Sequence, residues 1–313
     1  MPVHPRFSLR SPCCAAASRP SEQGDTKPPE SGRSFTARPG TTPLVLDSPH
    51  SGTVYPDDFK AALPLHVLRQ AEDTHVEKIY DFASDIGAAW VEAHFPRIYL
   101  DANRDISEID VQLFESDWPG EVTADEVTLQ KVRLGKGLIW RFTDKGEPIY
   151  ERQLSVEEGQ NRIAACWMPY HAAVAEAIDA AHARHGYSIH INCHSMPSVA
   201  ASHATLHPGL EHADFVIGDR DGSTASPRLS ALICDFLRAR GYDVAYNHPY
   251  KGVELVRRNG QPDAHRHSIQ IEVNRKIYMN EETLDIIPDG MQRLRADLRD
   301  LMVKLASTDP RTL

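Results

Sequence analysis

Histidines at 50 and 194, acids at 73 and 272 and an Asn-Arg pair at 103–104 are the groups in this chain whose types and placement could do chemistry. His194 lies in the stretch 187–197, where Ile189, Ile191 and Cys193 alternate with His190, Asn192 and His194. That alternation is the mark of a strand with one apolar and one polar face. Polar groups buried beside a sheet cost roughly a few kcal/mol each unless paired, and imidazole nitrogens pair well with a metal ion. On this stretch alone, metal ligands and hydrogen-bonded core histidines are equally good readings. Glu272 holds the matching place in 267–275, with Ile269, Ile271 and Val273 on one side and Ser268, Gln270, Glu272 and Asn274 on the other. A carboxylate so placed must be paired, metal-bound or kept for proton transfer.

The other candidates lie in loops. His50 follows the short apolar run 44–46 in a Ser-Pro-His-Ser-Gly turn, and loops leaving the carboxyl ends of strands are where open α/β sheets bind ligands. Taken singly, His50 reads as a surface or capping histidine. Asp73 with Thr74 reads as a helix N-cap, or else Asp73 or His75 completes a metal shell at a loop-to-helix junction. Asn103 and Arg104 could clamp a carboxylate, since a guanidinium is a two-pronged donor and the amide adds a third bond; the competing reading pairs Arg104 with Asp101 or Asp105. Asp219 opens an Asp- and Gly-rich turn whose spacing does not fit an EF-hand, so it is read as lining a substrate. Lys251, Arg257 and Arg258 bring positive charge into one glycine-flanked segment, a candidate anion site.

The elements that must position these groups alternate between strand and helix. Apolar runs predict strands near 44–46, 89–91, 98–100, 187–193, 214–218, 243–246 and 267–275. Helical periodicity runs in two pieces through 57–86, through 154–185 with a bend at Pro169, and through 226–240 and 281–306. The region 107–150 reads as a long loop with a β element near 135–140, a wall or lid of the site. Residues 1–40, rich in Pro, Ser, Arg and Gly, read as a disordered tail before one catalytic domain over 41–308. The order of elements predicts a three-layer α/β/α sandwich around a mixed, mostly parallel sheet.

Composition narrows the partners. The 313 residues carry a formal charge of −10, so a nucleic acid is excluded as a partner, while a small anionic substrate needs a local cationic cluster. No apolar run approaches the length of a membrane span. Five cysteines without a CxxC spacing fit a reducing cytoplasm.

The succession Ser48-Pro49-His50-Ser51-Gly52, Asp73-Thr74-His75-Val76, Asp101-Ala102-Asn103-Arg104, His194-Ser195 and Ile271-Glu272-Val273-Asn274-Arg275 resembles the N-formylglutamate amidohydrolase family over about residues 42–285. It is more distantly similar to zinc carboxypeptidases of the A type, which have the same motifs in the same chain order. The resemblance implies one zinc ion held by His50 and His194, with Glu272 as general acid/base and Asn103 and Arg104 on a substrate carboxylate. Carboxypeptidases place a glutamate ligand three residues after the first histidine. Here that residue is Thr53, so the third ligand is expected from Asp73 first and His75 second. The implied reaction is release of formate from N-formyl-L-glutamate, a step of histidine degradation, with Arg104 and Arg257 sharing the substrate's two carboxylates. Competing readings are a zinc hydrolase for another N-acyl amino acid or peptide, a metal-free nucleophile at Ser195 or Cys193, and a non-catalytic binding module. The zinc reading requires the imidazoles of His50 and His194 to approach within about 8 Å.

Overall fold

The computed structural model describes residues 33–200 and 208–313. Seven strands, β1 (Phe35–Arg38), β2 (Leu44–Ser48), β3 (Ala89–Ala93), β4 (Ser188–Met196), β5 (Phe215–Gly218), β6 (Val244–Tyr246) and β7 (Arg266–Asn274), form one sheet in the order β1-β3-β2-β4-β7-β5-β6. The β2/β3, β2/β4, β4/β7 and β5/β6 pairs are parallel. Only β1 on β3 and β5 on β7 run antiparallel. The helices are α1 (Leu65–Leu68), α2 (Val76–Ile79), α3 (Glu126–Arg133), α4 (Val156–Arg162), α5 (Met168–His185), α6 (Pro227–Ala239), α7 (Glu254–Asn259) and α8 (Pro288–Ala306).

Alternation along the strands sorts the core into two. Leu44, Leu46, Ile189, Ile191, Cys193, Ile269 and Ile271 pack with Leu229 and Ile233 of α6 and Leu294, Leu298 and Leu301 of α8. On the other face, Val45, Ala89 and Val91 pack with Tyr170, Val174 and Ile178 of α5. Helices on both faces of a mixed sheet make the three-layer α/β architecture expected from the sequence. Each fully buried aliphatic side chain contributes about 1.5–3 kcal/mol. The chemistry-bearing residues of β4 and β7 occupy the α5 face, and both strands point their carboxyl ends toward the loop after β2.

Several local expectations change. Residues 35–38, placed with the disordered tail, are strand β1, whose register sets Phe35 opposite Ala93; residues 1–32 of that tail lie outside the described residues. The helix expected over 154–185 is α4, a π-helical turn over Ile163–Trp167, and α5 with Pro169 in its first turn. Proline has no N–H to donate and is tolerated where a helix starts, so the chain widens one turn and restarts. Residues 98–100 form a buried turn rather than a strand, and 107–150 contains α3 with no strand at 135–140. No described helix is long and apolar enough to cross a membrane.

Candidate metal centre

Three carboxyl-end loops and strands bring His50, Asp73 and His194 together. All three are buried, and one ligating atom from each lies within 4.8 Å of the others. The rings of His50 and His194 are 4.7 Å apart between centroids, well inside the distance the zinc reading requires. Nδ1 of His50 is 3.4 Å from Asp73 Oδ2, and Nδ1 of His194 is 2.8 Å from the same oxygen. Local backbone makes this possible: β2 delivers His50 just past its last residue, His50 O accepts from Asp73 N at 3.0 Å, and β4 delivers His194.

The far edges of both rings are held. His50 Nε2 donates to Asp101 Oδ1 at 2.6 Å, and His194 Nε2 is 2.7 Å from Asn192 Oδ1. His50 Nδ1, by contrast, is a buried atom with no hydrogen-bond partner. A buried orphan nitrogen is costly, and two imidazoles with one carboxylate are a donor set that suits zinc, so the residues present fit a metal ion. A carboxylate on the outer nitrogen of a ligand histidine is the arrangement that fixes tautomer and ring orientation in metal sites.

Glu272 stands beside His194 in the parallel β4/β7 register, on strands about 4.8 Å apart. Its Oε1 accepts from Gln270 Nε2 at 2.8 Å. Burial pushes its carboxyl up to about 7, the charge of Asp73 adds to that, and His194, Arg97 and Arg275 oppose it. Burial would raise Asp73 as well, but the hydrogen bond of His194, the nearby His50 ring and the charge of Arg97 hold it well below the usual carboxylate range. Two acids that feel each other's charge are thus driven in opposite directions, the pattern of an ionised ligand beside a proton carrier.

The remaining expected residues separate. His75 turns away, its Nε2 donating to Leu284 O at 2.8 Å, and is not in the cluster. Asn103 lies against the outer edge of His194: its Oδ1 accepts from Leu255 N at 2.9 Å, and its Nδ2 is 3.0 Å from His194 Nε2 and 3.3 Å from Asn192 Oδ1, so the amide expected on a substrate is committed to the protein. Arg104 is mostly buried, 3.8 Å from Asp101 and 3.6 Å from Glu108, and its Nε has no hydrogen-bond partner. Arg257 is neutralised by Glu254 and Asp105. Asp219 is fully buried and saturated: Gly222 N and Asn247 Nδ2 donate to Oδ1, Ser230 and Tyr246 hydroxyls to Oδ2. With no acceptor site left it braces its turn and is not a substrate ligand.

Sequence reasoning missed Asp101 as the partner of His50, and missed Arg97 and Arg275. Arg97 donates to Asp73 and Asp101, Arg275 to Asp73, Ser195 and Glu72 O. Arg275 carried a signal, since it leaves the strand that delivers Glu272. Arg97 immediately precedes the run 98–100 misread as a strand and carried none. The nucleophile reading loses its groups: Cys193 is fully buried and its thiol is pushed well above the usual range by burial, and Ser195 Oγ accepts from Arg275 rather than facing a histidine.

The chain is similar to known proteins over most of its length. The model of the N-formylglutamate amidohydrolase family matches residues 42–279. N-formylglutamate deformylase of Pseudomonas aeruginosa is 30% identical over 274 residues, 85% of this chain and 93% of that protein. The deformylase of Pseudomonas putida is 29% identical over 272 residues, with the same coverage. The crystal structure of N-formylglutamate amidohydrolase from Ralstonia eutropha superposes with a TM-score of 0.83 at 42% identity, covering 89% of this chain and 99% of that one.

Proposed function

The chain belongs to the N-formylglutamate amidohydrolase family, enzymes that hydrolyse linear amides, and we propose that it removes the formyl group of N-formyl-L-glutamate by zinc-dependent hydrolysis. The observation that supports this best is the convergence of His50, Asp73 and His194 with one buried nitrogen left unpaired, beside a carboxyl held near neutrality. His50 and His194 would hold the ion through Nδ1 and Asp73 through Oδ2. Zinc in such a site supplies a lowered pKa for its water and a polarised substrate carbonyl.

The protein's own groups do the rest. Glu272 keeps Oε1 on Gln270, which leaves Oε2 to take the proton of the attacking water and return it to the departing amine. A carboxyl near 7 can do both at neutral pH. Arg97 and Arg275 put positive charge beside Glu272, where negative charge builds on the carbonyl oxygen. Arg104, the least committed of the buried cations around Asp101, receives a substrate carboxylate. Arg257 is no longer part of the reading, because Glu254 and Asp105 already neutralise it.

Formate release and metal content, measured on the wild type and on Glu272→Gln, test this. The variant keeps stoichiometric zinc and loses about 10²–10⁴-fold in turnover. Loss of zinc together with turnover would make Glu272 a ligand, and faster turnover of acetyl than formyl substrates would reassign the acyl group.

A further inference from the structure

Beneath the metal cluster lies a set of polar groups that the reaction does not touch. Asp47, Ser188, His190, Asn192 and Ser268 are all fully buried on the α5 face of the sheet. Asp47 is their hub. Its Oδ1 is 2.8 Å from His190 Nε2 and 2.8 Å from Asn192 Nδ2, and its Oδ2 accepts from Tyr170 OH at 2.8 Å. His190 Nδ1 meets Ser268 Oγ at 2.7 Å.

The polarity of this network can be worked outward from one unambiguous member. Burial would raise the Asp47 carboxyl, but the bonds and charge of His190 and the bonds of Asn192 and Tyr170 hold it low, so it is ionised and can only accept. The end of the Asn192 side chain that faces it must therefore be the NH₂. The carbonyl end then faces His194 Nε2 at 2.7 Å, and a carbonyl only accepts. Asn103 competes at this junction: Leu255 N occupies its oxygen, and its NH₂ lies 3.0 Å from His194 Nε2 and 3.3 Å from Asn192 Oδ1. The shorter 2.7 Å contact to a carbonyl that can only accept decides for the proton on Nε2, and the Asn103 N–H goes to Asn192 Oδ1. Both donors converge on Asn192 Oδ1, which has two lone pairs to receive them.

We propose that Asp47 is a positioning residue for the metal centre: by orienting the Asn192 amide it places the His194 proton on Nε2 and leaves the Nδ1 lone pair aimed at Asp73 and His50. The inference rests on the metal reading above and extends it to two residues that touch neither metal nor substrate. His190 shares Asp47 Oδ1 with Asn192, but Ser268 hangs from the far nitrogen of His190, so it shares the burial of the network without lying on the route to His194. That asymmetry gives the test its control.

Zinc affinity by chelator competition and melting temperature of the metal-free protein are measured for the wild type, Asn192→Leu, Asp47→Asn and Ser268→Ala. Asn192→Leu keeps the side-chain shape and removes the acceptor; Asp47→Asn removes the fixed polarity. Both are expected to weaken zinc binding about 10–100-fold, as loss of such supporting partners does, while Ser268→Ala lowers the melting temperature and stays within about twofold of wild-type affinity. Wild-type affinity in both Asn192→Leu and Asp47→Asn overturns the inference and makes the network purely structural. Equal weakening in Ser268→Ala overturns it too, since general loosening then explains the loss. A wild type that binds no zinc overturns the metal reading itself, and the two failures are told apart by that first measurement.

Discussion

Glu77 should be a stabilising site to neutralise, and only above a definable pH. It lies in α2, and its Oε2 is buried with no hydrogen-bond partner. Burial pushes its carboxyl from an ordinary 4.5 up to about 7; its own backbone N–H and Lys78 oppose the rise, while Glu92 and Glu72 add to it. Below pH 4.5 the group is protonated in both folded and unfolded chains and stability does not depend on it. Between 4.5 and 7 the unfolded chain has lost a proton that the folded chain retains, so stability falls as pH rises. Above 7 the full penalty applies, about 3 kcal/mol at 1.36 kcal/mol per pH unit. Glu77→Gln removes the charge in the same shape but leaves an unpaired amide, costing about 1–2 kcal/mol. The net expectation at pH 8 is a gain of about 1–2 kcal/mol, or roughly 2–6 °C in melting temperature, which shrinks to zero or reverses by pH 5. Thermal melts of both proteins from pH 5 to pH 8 check it. A melting-temperature difference that does not change with pH, or a destabilised variant at pH 8, refutes the reasoning.

Two further expectations follow from groups of opposite character. Arg104→Leu should raise KM for the dianionic substrate about 10–100-fold while kcat changes little, because a charge-assisted contact worth about 1.5–3 kcal/mol is lost in ground and transition state alike; an equal rise with an uncharged formamide substrate would show that Arg104 binds no carboxylate. His171 and His267 are both held down to about 4 by burial, with Arg258 adding to the effect at His171 and His265 at His267. The unfolded chain therefore binds more protons between about 6.5 and 4, and each histidine costs about 3 kcal/mol of stability as the pH falls through that window. Denaturant titrations of the His171→Gln/His267→Gln double variant should show a flatter acid limb, and a limb parallel to the wild type would sink this account.

The sheet was readable because its signal is local. Alternation in 187–193 and 267–275 names both the strands and the face on which His194 and Glu272 lie, and a single residue's slip would have moved every polar side chain into the α6/α8 core. The run 98–100 was misread for the same reason: Ile98, Tyr99 and Leu100 are buried, and burial without alternation cannot tell a strand from a turn packed into the core. Asp73 could be weighed as cap or ligand from its junction, but its distinction from His75 depends on a left-handed backbone at His75, φ 68°, which throws that side chain toward Leu284.

What the sequence could not express is which charges cancel. Arg257, Arg104, Arg97 and Arg275 are equivalent letters, and only the fold pairs Arg257 with Glu254 and Asp105 at hydrogen-bond distance while keeping Arg104 at 3.6 Å or more from Glu108 and Asp101. Asp219 shows the converse, a carboxylate placed after a strand end as a ligand would be, yet filled by four donors from its own surroundings. An incomplete set of partners therefore points to chemistry only where it coincides with the cluster at the strand ends, as at His50 Nδ1 and Arg104 Nε; Glu77 Oε2 and His267 Nε2 are equally unpaired and carry only a cost in stability.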